Sequence, residues 1–443
     1  MENIMKRFLA LLTVLVLALG LCSCANTSAD GDSEGGTKES KLKASLTSPE
    51  LTYSKEELEA LKTGYHYSYD YDVPALYKYF EGRCQIGCIV NSWQISNPDD
   101  NMYKSLAKNY NIYVMENEFK PSSINPAPGV YNFDPCDAFV KFADEAGAAT
   151  RGHTLLWHTQ VPEWWFKADP ANEKSIGACD RDGELASSEQ LVERLEEYIT
   201  EVVTRYKDDI DYWDVVNEVL NGEGIRTKND DKSYWAEIVG DLDGNGYLDD
   251  YVEIAFNAAR AADEDAVLMI NDFNLEWQDS KVAAMYDMVE RMLRKGVRID
   301  GVGFQSHIAV DSSIEAYRRG LEKIASLADI YDECFPEHKG EFRIQITELD
   351  MNMYVGAYRD KHFVKWTDED KARQAKQYAD LMSLFLEYAD RGVLDAVVFW
   401  TPDDGHSWLN DNKNGMPSIY KDDMALKEAY FAFVETSFNA AKE

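Results

Sequence analysis

Apolar and polar positions alternate along the chain in blocks that predict strands and helices in turn. Eight short runs of β-branched and apolar residues have the length of buried strands. They cover 86–90, 112–115, 149–157, 212–216, 266–270, 302–305, 343–347 and 396–400. Between them lie longer stretches with apolar residues at helical spacing, clearest over 188–205, 281–295 and 368–388. This alternation favours a closed ring over an open sheet, so we predict an α/β fold, a single eight-stranded parallel β/α (TIM) barrel.

Polar or ionisable residues follow most of these runs at their carboxyl ends. In chain order they are Asn91, Glu116, Asn117, His153, His158, Asn217, Glu218, Asn271, Asp272, Gln305, His307, Glu348 and Asp350, and the aromatic Trp400 closes the series. In a β/α barrel the carboxyl ends of all strands converge on one face, where active sites are built. The recurrence therefore predicts a polar, aromatic-lined cleft.

Glu218 and Glu348 stand out because each comes directly after an apolar strand, in WDVVNE and IQITE. We expect the fourth and seventh strands to place them across the cleft from each other. Such a pair suits cleavage of a glycosidic bond, in which one carboxylate attacks carbon and the other carboxyl group protonates the leaving oxygen. Taken singly, either residue is equally consistent with a salt-bridged glutamate.

Other chemistries have less support. His153 and His158 are five residues apart, so on a strand they point to opposite faces and cannot share a metal unless the second has left the strand. The chain has no H-E-x-x-H motif, no G-x-S-x-G elbow and no glycine-rich nucleotide loop. The spacing of five cysteines matches no zinc or disulfide framework, and their disulfide state stays open. They are Cys84, Cys88, Cys136, Cys179 and Cys334.

Six motifs together resemble glycoside hydrolase family 10, the retaining endo-β-1,4-xylanases. The motifs are GHTLLWH (152–158), WDVVNE (213–218), NDFN (271–274), GVGFQSH (301–307), ITELD (346–350) and FW…SW (399–408). They occur in the order of the family and cover almost all of the chain after residue 48. The resemblance implies a β/α barrel that hydrolyses internal β-1,4 bonds of xylan by double displacement and requires no cofactor.

The resemblance also implies roles for individual residues. Glu348 would be the nucleophile and Glu218 the acid/base, while His307 and Asp350 would orient the nucleophile and keep it charged. Asn217 would hold the 2-hydroxyl of the sugar under attack. The implied substrate-binding residues are Glu116, Asn117, Lys120, His153, Trp157, Asn217, Gln305 and His307, with Trp400 and Trp408 as an aromatic shelf and roof over the sugar.

Two positions depart from the family pattern close to the predicted cleft. Phe119 stands where Met is common, and Thr401-Pro402 stand where Gly is usual. They leave subsite preference open, so the main alternative is a retaining barrel glycosidase that acts mainly on β-glucan. A second alternative, a non-catalytic surface glycan-binding lipoprotein, has both glutamates against it.

An acidic, glycine-rich segment precedes the helix that follows the fourth strand. Its oxygen-bearing residues follow a calcium-loop spacing of one, three, five and nine, with a glycine at six. Position twelve is Val252 rather than the usual bidentate glutamate. The segment predicts a structural Ca²⁺ site, with a plain acidic surface loop as the alternative. The candidate ligands are Asp241, Asp243, Asn245 and Asp249.

Charge limits the partners of this chain. Its 443 residues carry 80 Asp+Glu against 45 Lys+Arg, a formal net charge of −35. So acidic a chain repels nucleic-acid phosphates and anionic headgroups, and its sequence has no concentrated basic patch. We therefore expect no nucleic acid as a partner. The family resemblance implies xylan and xylo-oligosaccharides as partners, and we expect a monomer.

The first residues predict export. Lys6 and Arg7 precede an apolar segment over 8–21, which is typical of a secretory signal and short for a membrane span. Leu-Cys-Ser-Cys at 21–24 resembles a bacterial lipobox, with Cys24 as the lipidated residue. We predict a lipoprotein signal peptide over 1–23, a flexible tether over 24–48 and a catalytic domain over 49–443. The protein would be a cell-surface or envelope lipoprotein that meets the membrane only through this anchor, or alternatively a secreted protein.

Overall fold

A computed structural model describes residues 54–62, 73–179, 183–230, 233–356, 359, 364–410 and 415–439. All of them belong to one unit that spans 38–443. The predicted signal peptide, the lipidated Cys24 and the tether lie outside the described residues. Within the described ranges, no helix combines the length and the apolar character that a membrane span requires.

Eight parallel strands form a closed barrel, which confirms the predicted fold class. The strands are β1 Gln85–Val90, β2 Ile112–Met115, β3 Ala149–Leu156, β4 Tyr212–Asn217, β5 Val267–Asp272, β6 Gly301–Phe304, β7 Arg343–Asn352 and β8 Leu394–Phe399. Each pairs with its neighbours in chain order, and β8 pairs with both β7 and β1, which closes the ring. Nearly every strand residue is buried, because helices cover the outside and side chains fill the inside.

The helices follow the predicted amphipathic stretches closely. Ser188–Arg205 begins after Ser187, whose side chain forms a capping box with Gln190, and Asp368–Asp390 begins after the Thr367–Asp370 box. These caps explain why the helices begin where their apolar periodicity begins. The α-helices of the described part are Lys55–Lys62, Asn101–Asn109, Pro121–Ile124, Asp134–Ala146, Ser188–Arg205, Trp235–Val239, Asp250–Ala262, Asp279–Lys295, Ile314–Ala325, Leu327–Cys334, Asp368–Asp390 and Glu428–Glu435.

The largest difference from the predicted strands is in β7, which continues to Asn352 rather than ending at residue 347. Its last part pairs with a short strand, His307–Ala309, and places Asp350 opposite His307. Leu349 and Met351 are buried in the apolar core, in alternation with the polar Glu348 and Asp350. Glu348 therefore lies within a strand, which fixes its backbone more firmly than a loop would.

The five cysteines beyond the tether carry no disulfide in the structure. Cys84, Cys88, Cys136 and Cys179 are buried free thiols, and Cys334 is partly buried. Burial raises the pKa of Cys84 to about 12 and raises the pKa of Cys88 well above its usual value. These two thiols therefore stay protonated and pack as small apolar side chains.

Candidate active site

A chain of amide side chains joins the two predicted catalytic glutamates. Gln305 Nε2 donates to Glu218 Oε1 at 3.0 Å and to Asn217 Oδ1 at 3.2 Å. Asn271 Nδ2 donates to the same Asn217 oxygen at 2.9 Å and to Glu348 Oε1 at 2.7 Å. The adjacent strands β4 to β7 thus bring both carboxyl groups into one polar cluster, at the face where barrel active sites form.

Glu348 is surrounded by hydrogen-bond donors. Besides the amide of Asn271, His307 Nε2 lies 3.2 Å from Glu348 Oε2. Burial by itself would raise the pKa of Glu348. The hydrogen bond from His307, the electrostatic influence of His153 and His307, and the Asn271 amide together lower that pKa to about 2. The carboxyl group is therefore ionised at ordinary pH, as an attacking group must be.

His307 lies between two carboxylates. Its Nε2 faces Glu348, and its Nδ1 lies 3.0 Å from Asp350 Oδ2. Burial alone would lower the pKa of His307, but the charges of Asp350 and Glu348 and their hydrogen bonds raise it well above its usual value. His307 is therefore a cation that supports the charge on Glu348. Asp350 also accepts a hydrogen bond from Trp408 Nε1 at 2.6 Å, which ties the indole to the same cluster.

The electrostatic environment of Glu218 is opposite to that of Glu348. Burial raises its pKa, and the negative charges of Asp272 and Glu348 add to that rise, against a lowering hydrogen bond from Gln305. The group therefore retains its proton to higher pH than an ordinary glutamate. That property suits a general acid beside an ionised neighbour.

The backbone of Glu218 is held in a left-handed conformation, with φ at 57°. Its N–H donates to the carbonyl of Asn271 at 2.8 Å, and its own carbonyl accepts from Arg226 Nε at 3.0 Å. A non-glycine residue rarely adopts such a conformation, and these two hydrogen bonds offset the local strain. The turn ends β4 abruptly and presents the side chain to the cluster.

A second group of predicted residues gathers at the ends of β2 and β3. Lys120 Nζ donates to Asn117 Oδ1 at 3.0 Å and to Gln160 Oε1 at 2.9 Å, and it lies 5.0 Å from the centre of the Trp157 ring. Burial lowers the pKa of Lys120, although the surrounding glutamates oppose that effect. At the same rim, Glu116 Oε2 accepts a hydrogen bond from Asn91 Nδ2 at 3.2 Å.

His153 and Trp400 connect the two groups. The His153 ring lies 5.4 Å from the Trp400 ring, which in turn lies 6.4 Å from the His307 ring. Trp400 is nearly buried, whereas Trp408 is 53% exposed. The structure therefore places the sequence-predicted catalytic and substrate-binding residues at the carboxyl-end face of the barrel, and their roles there stay predictions.

Sequence reasoning assigned no role to three residues that hold this site together. Asn271 donates a hydrogen bond directly to Glu348. Its position in the motif NDFN was the sequence feature that could have revealed this role. Asp214 Oδ2 lies 2.9 Å from His153 Nδ1 and also pairs with Arg151; a charged residue inside an apolar strand was the signal. Gln160, which contacts Lys120, lies four residues after the end of β3 and outside the six motifs, so the sequence gave no signal for it.

Phe119, which was predicted to lie close to the cleft, is next to Lys120 in sequence, but its side chain belongs to the core. Its ring is fully buried and makes edge contacts with Phe139, Tyr206 and Trp213. The chain after β2 turns inward at this residue, so the side chain fills the core. This departure from the family pattern therefore bears on packing rather than on sugar binding.

The calcium prediction is wrong in one ligand. Asp249 is buried and forms an ion pair with Arg291 at 2.6 Å, because the helix Asp250–Ala262 begins directly after it. In its place Asp250 joins Asp241 and Asp243, with carboxylate oxygens within 4.8 Å of one another. Asp243 also pairs with Lys295 at 2.6 Å, and Asn245 Oδ1 accepts the N–H of Tyr247.

Comparisons with known proteins identify the family of the chain. The profile of glycosyl hydrolase family 10 matches residues 75–436. Endo-1,4-beta-xylanase A of Halalkalibacterium halodurans is 35% identical over 380 residues, which cover 82% of this chain and 87% of that protein. Endo-1,4-beta-xylanase C of Paenibacillus barcinonensis is 36% identical over 371 residues, 83% of this chain but 32% of that protein. The chain thus spans about a third of the length of some relatives.

Solved structures give the same result. The structure of GH10 from Paenibacillus barcinonensis superposes with a TM-score of 0.74 at 34% identity. The match covers 84% of this chain and 100% of that chain. A complex of a mutant of the xylanase TsXylA from Thermoanaerobacterium saccharolyticum with xylotetraose has a TM-score of 0.67 at 34% identity, covering 82% and 98%. With a family profile over most of its length and a glutamate pair in the matching barrel, the chain belongs to glycosyl hydrolase family 10.

Proposed function

We propose that the protein is a retaining endo-β-1,4-xylanase that hydrolyses internal bonds of xylan and xylo-oligosaccharides. One observation carries the proposal: two carboxyl groups, linked through three amides, have pKa values displaced in opposite directions. One group therefore ionises more readily than an ordinary glutamate and the other keeps its proton to higher pH, as double displacement requires. The names of the relatives support xylan as the polysaccharide.

In the first step, a carboxylate oxygen of Glu348 attacks the anomeric carbon of the sugar. The glycosidic bond breaks, and the leaving oxygen takes the proton of Glu218. In the second step, Glu218 takes a proton from water, and the water oxygen attacks the same carbon and displaces Glu348. Two inversions give net retention of configuration.

The electrostatics of the site change between these steps. Burial is the largest cause of the raised pKa of Glu218 in the free enzyme, and the negative charge of Glu348 adds to it. Once Glu348 is esterified, that charge is gone, so the pKa of Glu218 falls and the group becomes suited to act as a base. Asn217 uses Oδ1 for both of its amide contacts, and we assign its Nδ2 to the 2-hydroxyl of the sugar.

Product analysis on xylan and on a mixed-linkage β-glucan, side by side, tests this function. We expect short xylo-oligosaccharides whose new reducing ends first appear as the β-anomer by NMR. Faster cleavage of the glucan would favour the alternative substrate, which the names exoglucanase XynX and thermostable celloxylanase among the relatives support. Binding of xylan without new reducing ends would instead favour the non-catalytic alternative.

The lipoprotein anchor is a separate proposal, which the lipobox-like residues 21–24 support. Expressed in a bacterium with radiolabelled palmitate, the full chain is expected to take up label and to partition into detergent. Cys24→Ala is expected to abolish both, while the matched variant Cys22→Ala keeps them. Label retained in Cys24→Ala would contradict the anchor. For the catalytic domain, light scattering of a soluble form is expected to give the mass of a monomer.

A calcium ion bound by Asp241, Asp243 and Asp250 remains a proposal in corrected form. Hard carboxylate oxygens in this arrangement suit Ca²⁺, although Lys295 already neutralises part of the charge of Asp243. We expect Ca²⁺ to raise the melting temperature of the wild-type protein but not of Asp241→Asn. Equal melting temperatures in calcium and in chelator would contradict the site.

A further inference from the structure

Three of the ten tryptophans are more than half exposed. They are Trp93 at 56%, Trp277 at 56% and Trp408 at 53%. Each lies in a loop that follows a barrel strand at its carboxyl end, after β1, β5 and β8 respectively. Trp408 already belongs to the predicted aromatic roof. Trp93 and Trp277 have no role in the core or in the chemistry, yet each leaves a large apolar face open to water at the active-site rim.

Trp277 is fixed in its orientation. Its Nε1 donates to Asn274 Oδ1 at 3.1 Å. The adjacent Glu276 is buried and accepts the backbone N–H of Ser306 at 2.6 Å, so the loop is tied to the end of β6. The indole is therefore an anchored surface at the rim beside β4, β5 and β6.

Trp93 is fixed in a comparable way on another side of the barrel. Its ring lies 5.2 Å from the ring of His406 at an interplanar angle of 38°, and His406 is itself paired with Asp403 at 2.7 Å. The preceding Ser92 donates through both its N–H and its hydroxyl to Glu118 at 2.7 Å. The ring thus stands next to the loop that carries Asn117 and Lys120.

The two rings occupy opposite rims of the cleft. In a closed ring of eight strands, β1 and β5 are diametrically opposed. A leaving sugar must lie beside the acid Glu218 on β4, so the aglycone part of the substrate extends toward β5 and Trp277. The predicted glycone residues lie on β2 and β3, next to β1 and Trp93.

We infer that Trp93 and Trp277 are stacking platforms at the two far ends of the binding cleft, for the glycone and the aglycone end of a long β-1,4-linked pyranose chain. The inference rests on the proposed function, and it adds that the cleft binds a substrate long enough to reach both tryptophans. The apolar C–H face of a pyranose ring packs on an indole face without any charge. This suits a neutral chain, which gains no long-range attraction to a protein of net charge −35.

Cleavage of xylohexaose labelled at its reducing end tests the inference, with the frequency of cleavage at each bond read by mass spectrometry. Trp277→Ala is expected to move cleavage toward the reducing end, because fewer sugars are then held on the leaving side. Trp93→Ala is expected to move it toward the non-reducing end. For each variant kcat/KM on the hexaose should fall by about fivefold, the size of one aromatic stacking contact, with a smaller fall on an aryl xylobioside.

Tyr247→Ala is the matched control. Tyr247 is another exposed aromatic, at 49%, but it packs on Arg291 near the end of the helix Asp279–Lys295 that leads back to the start of β6, away from the cleft. Its cleavage frequencies should equal those of the wild-type protein. Should an alanine variant not fold, Trp277→Met and Trp93→Met remove the π face and keep the bulk.

Shifts in opposite directions support the inference. Unchanged cleavage frequencies in either tryptophan variant, or shifts in the same direction, would overturn it. If the wild-type protein leaves xylohexaose uncut, the proposed function itself fails, which is a different result from a wild-type protein that cuts while its variants show no shift.

Discussion

The ends of β4 and β7 carry the same side chain in two contrasting surroundings. Glu348 is buried and Glu218 is partly buried, and burial raises the pKa of both. At β7 a histidine cation and an amide donor reverse that effect and lower the pKa of Glu348 to about 2. At β4 a single amide donor, Gln305, is outweighed by burial and by neighbouring anions. The sign of the neighbouring charges, rather than burial, thus separates a nucleophile from an acid.

Removing the carboxylate of Glu348 is expected to lower activity the most. Glu348→Ala should lower kcat on xylan by about 10⁴-fold or more, because no other described group can form the covalent intermediate. On an aryl xylobioside with a good leaving group, azide should restore part of the cleavage and give a product of inverted configuration by NMR. Glu337→Ala, an exposed glutamate far from the cleft, is the control. Retained activity in Glu348→Ala would overturn the assignment of the nucleophile.

Removing the acid side should cost less and should depend on the leaving group. Glu218→Ala is expected to lower kcat on xylan by about 10²- to 10⁴-fold, the usual contribution of a general acid. An activated aryl xylobioside needs no protonation, so its first step should remain fast and the glycosyl-enzyme should accumulate. Mass spectrometry of the intact protein would detect the added sugar on Glu348. An equal loss on both substrates would contradict the acid role.

Removing the His307 cation beside Glu348 should make the electrostatic surroundings of the two glutamates more alike. His307→Asn takes away a positive charge that lowers the pKa of Glu348, so that pKa rises. Because Glu348 must be ionised, the acidic limb of kcat/KM against pH should move to higher pH, with a fall of about tenfold at the optimum. Asp350→Asn, which weakens the hold of His307 on its proton, should move the limb in the same direction by a smaller amount. An unmoved acidic limb in His307→Asn would show that the cation acts only on packing.

The smallest effect is expected from removing Gln305, which donates a hydrogen bond to Glu218. Gln305→Leu removes the hydrogen bond that lowers the pKa of Glu218, so that pKa rises further. Because Glu218 must be protonated, the basic limb of kcat/KM should move to higher pH by about half a unit. The acidic limb should stay in place, since Gln305 does not contact Glu348 in the described structure. A basic limb that moved to lower pH would contradict the assignment of the proton to Glu218.

Much of the barrel could be predicted from the sequence because buried parallel strands are continuous apolar runs. Residues 112–115 and 188–205 were predicted with the observed bounds, as a strand and a helix. The extension of β7 was missed because the prediction ended the strand with its β-branched run at residue 347. Residues 348–352 alternate between polar and apolar, as a strand does, and they pair with the short strand His307–Ala309. Position counting likewise chose Asp249 as a calcium ligand, although the start of the next helix turns it toward Arg291.

The sequence by itself determined the order of strands and helices, and it placed polar residues at strand ends, because periodicity and position are local properties of the chain. The tertiary structure alone decided in which direction the pKa of each glutamate is displaced. The pKa of Glu348 depends on His307 and Asn271, which reach it from two other strands and are remote in sequence. The same closure of the barrel turned Phe119 into the core and set Trp93 and Trp277 on opposite rims, since only the folded ring fixes distances between residues that the sequence keeps apart.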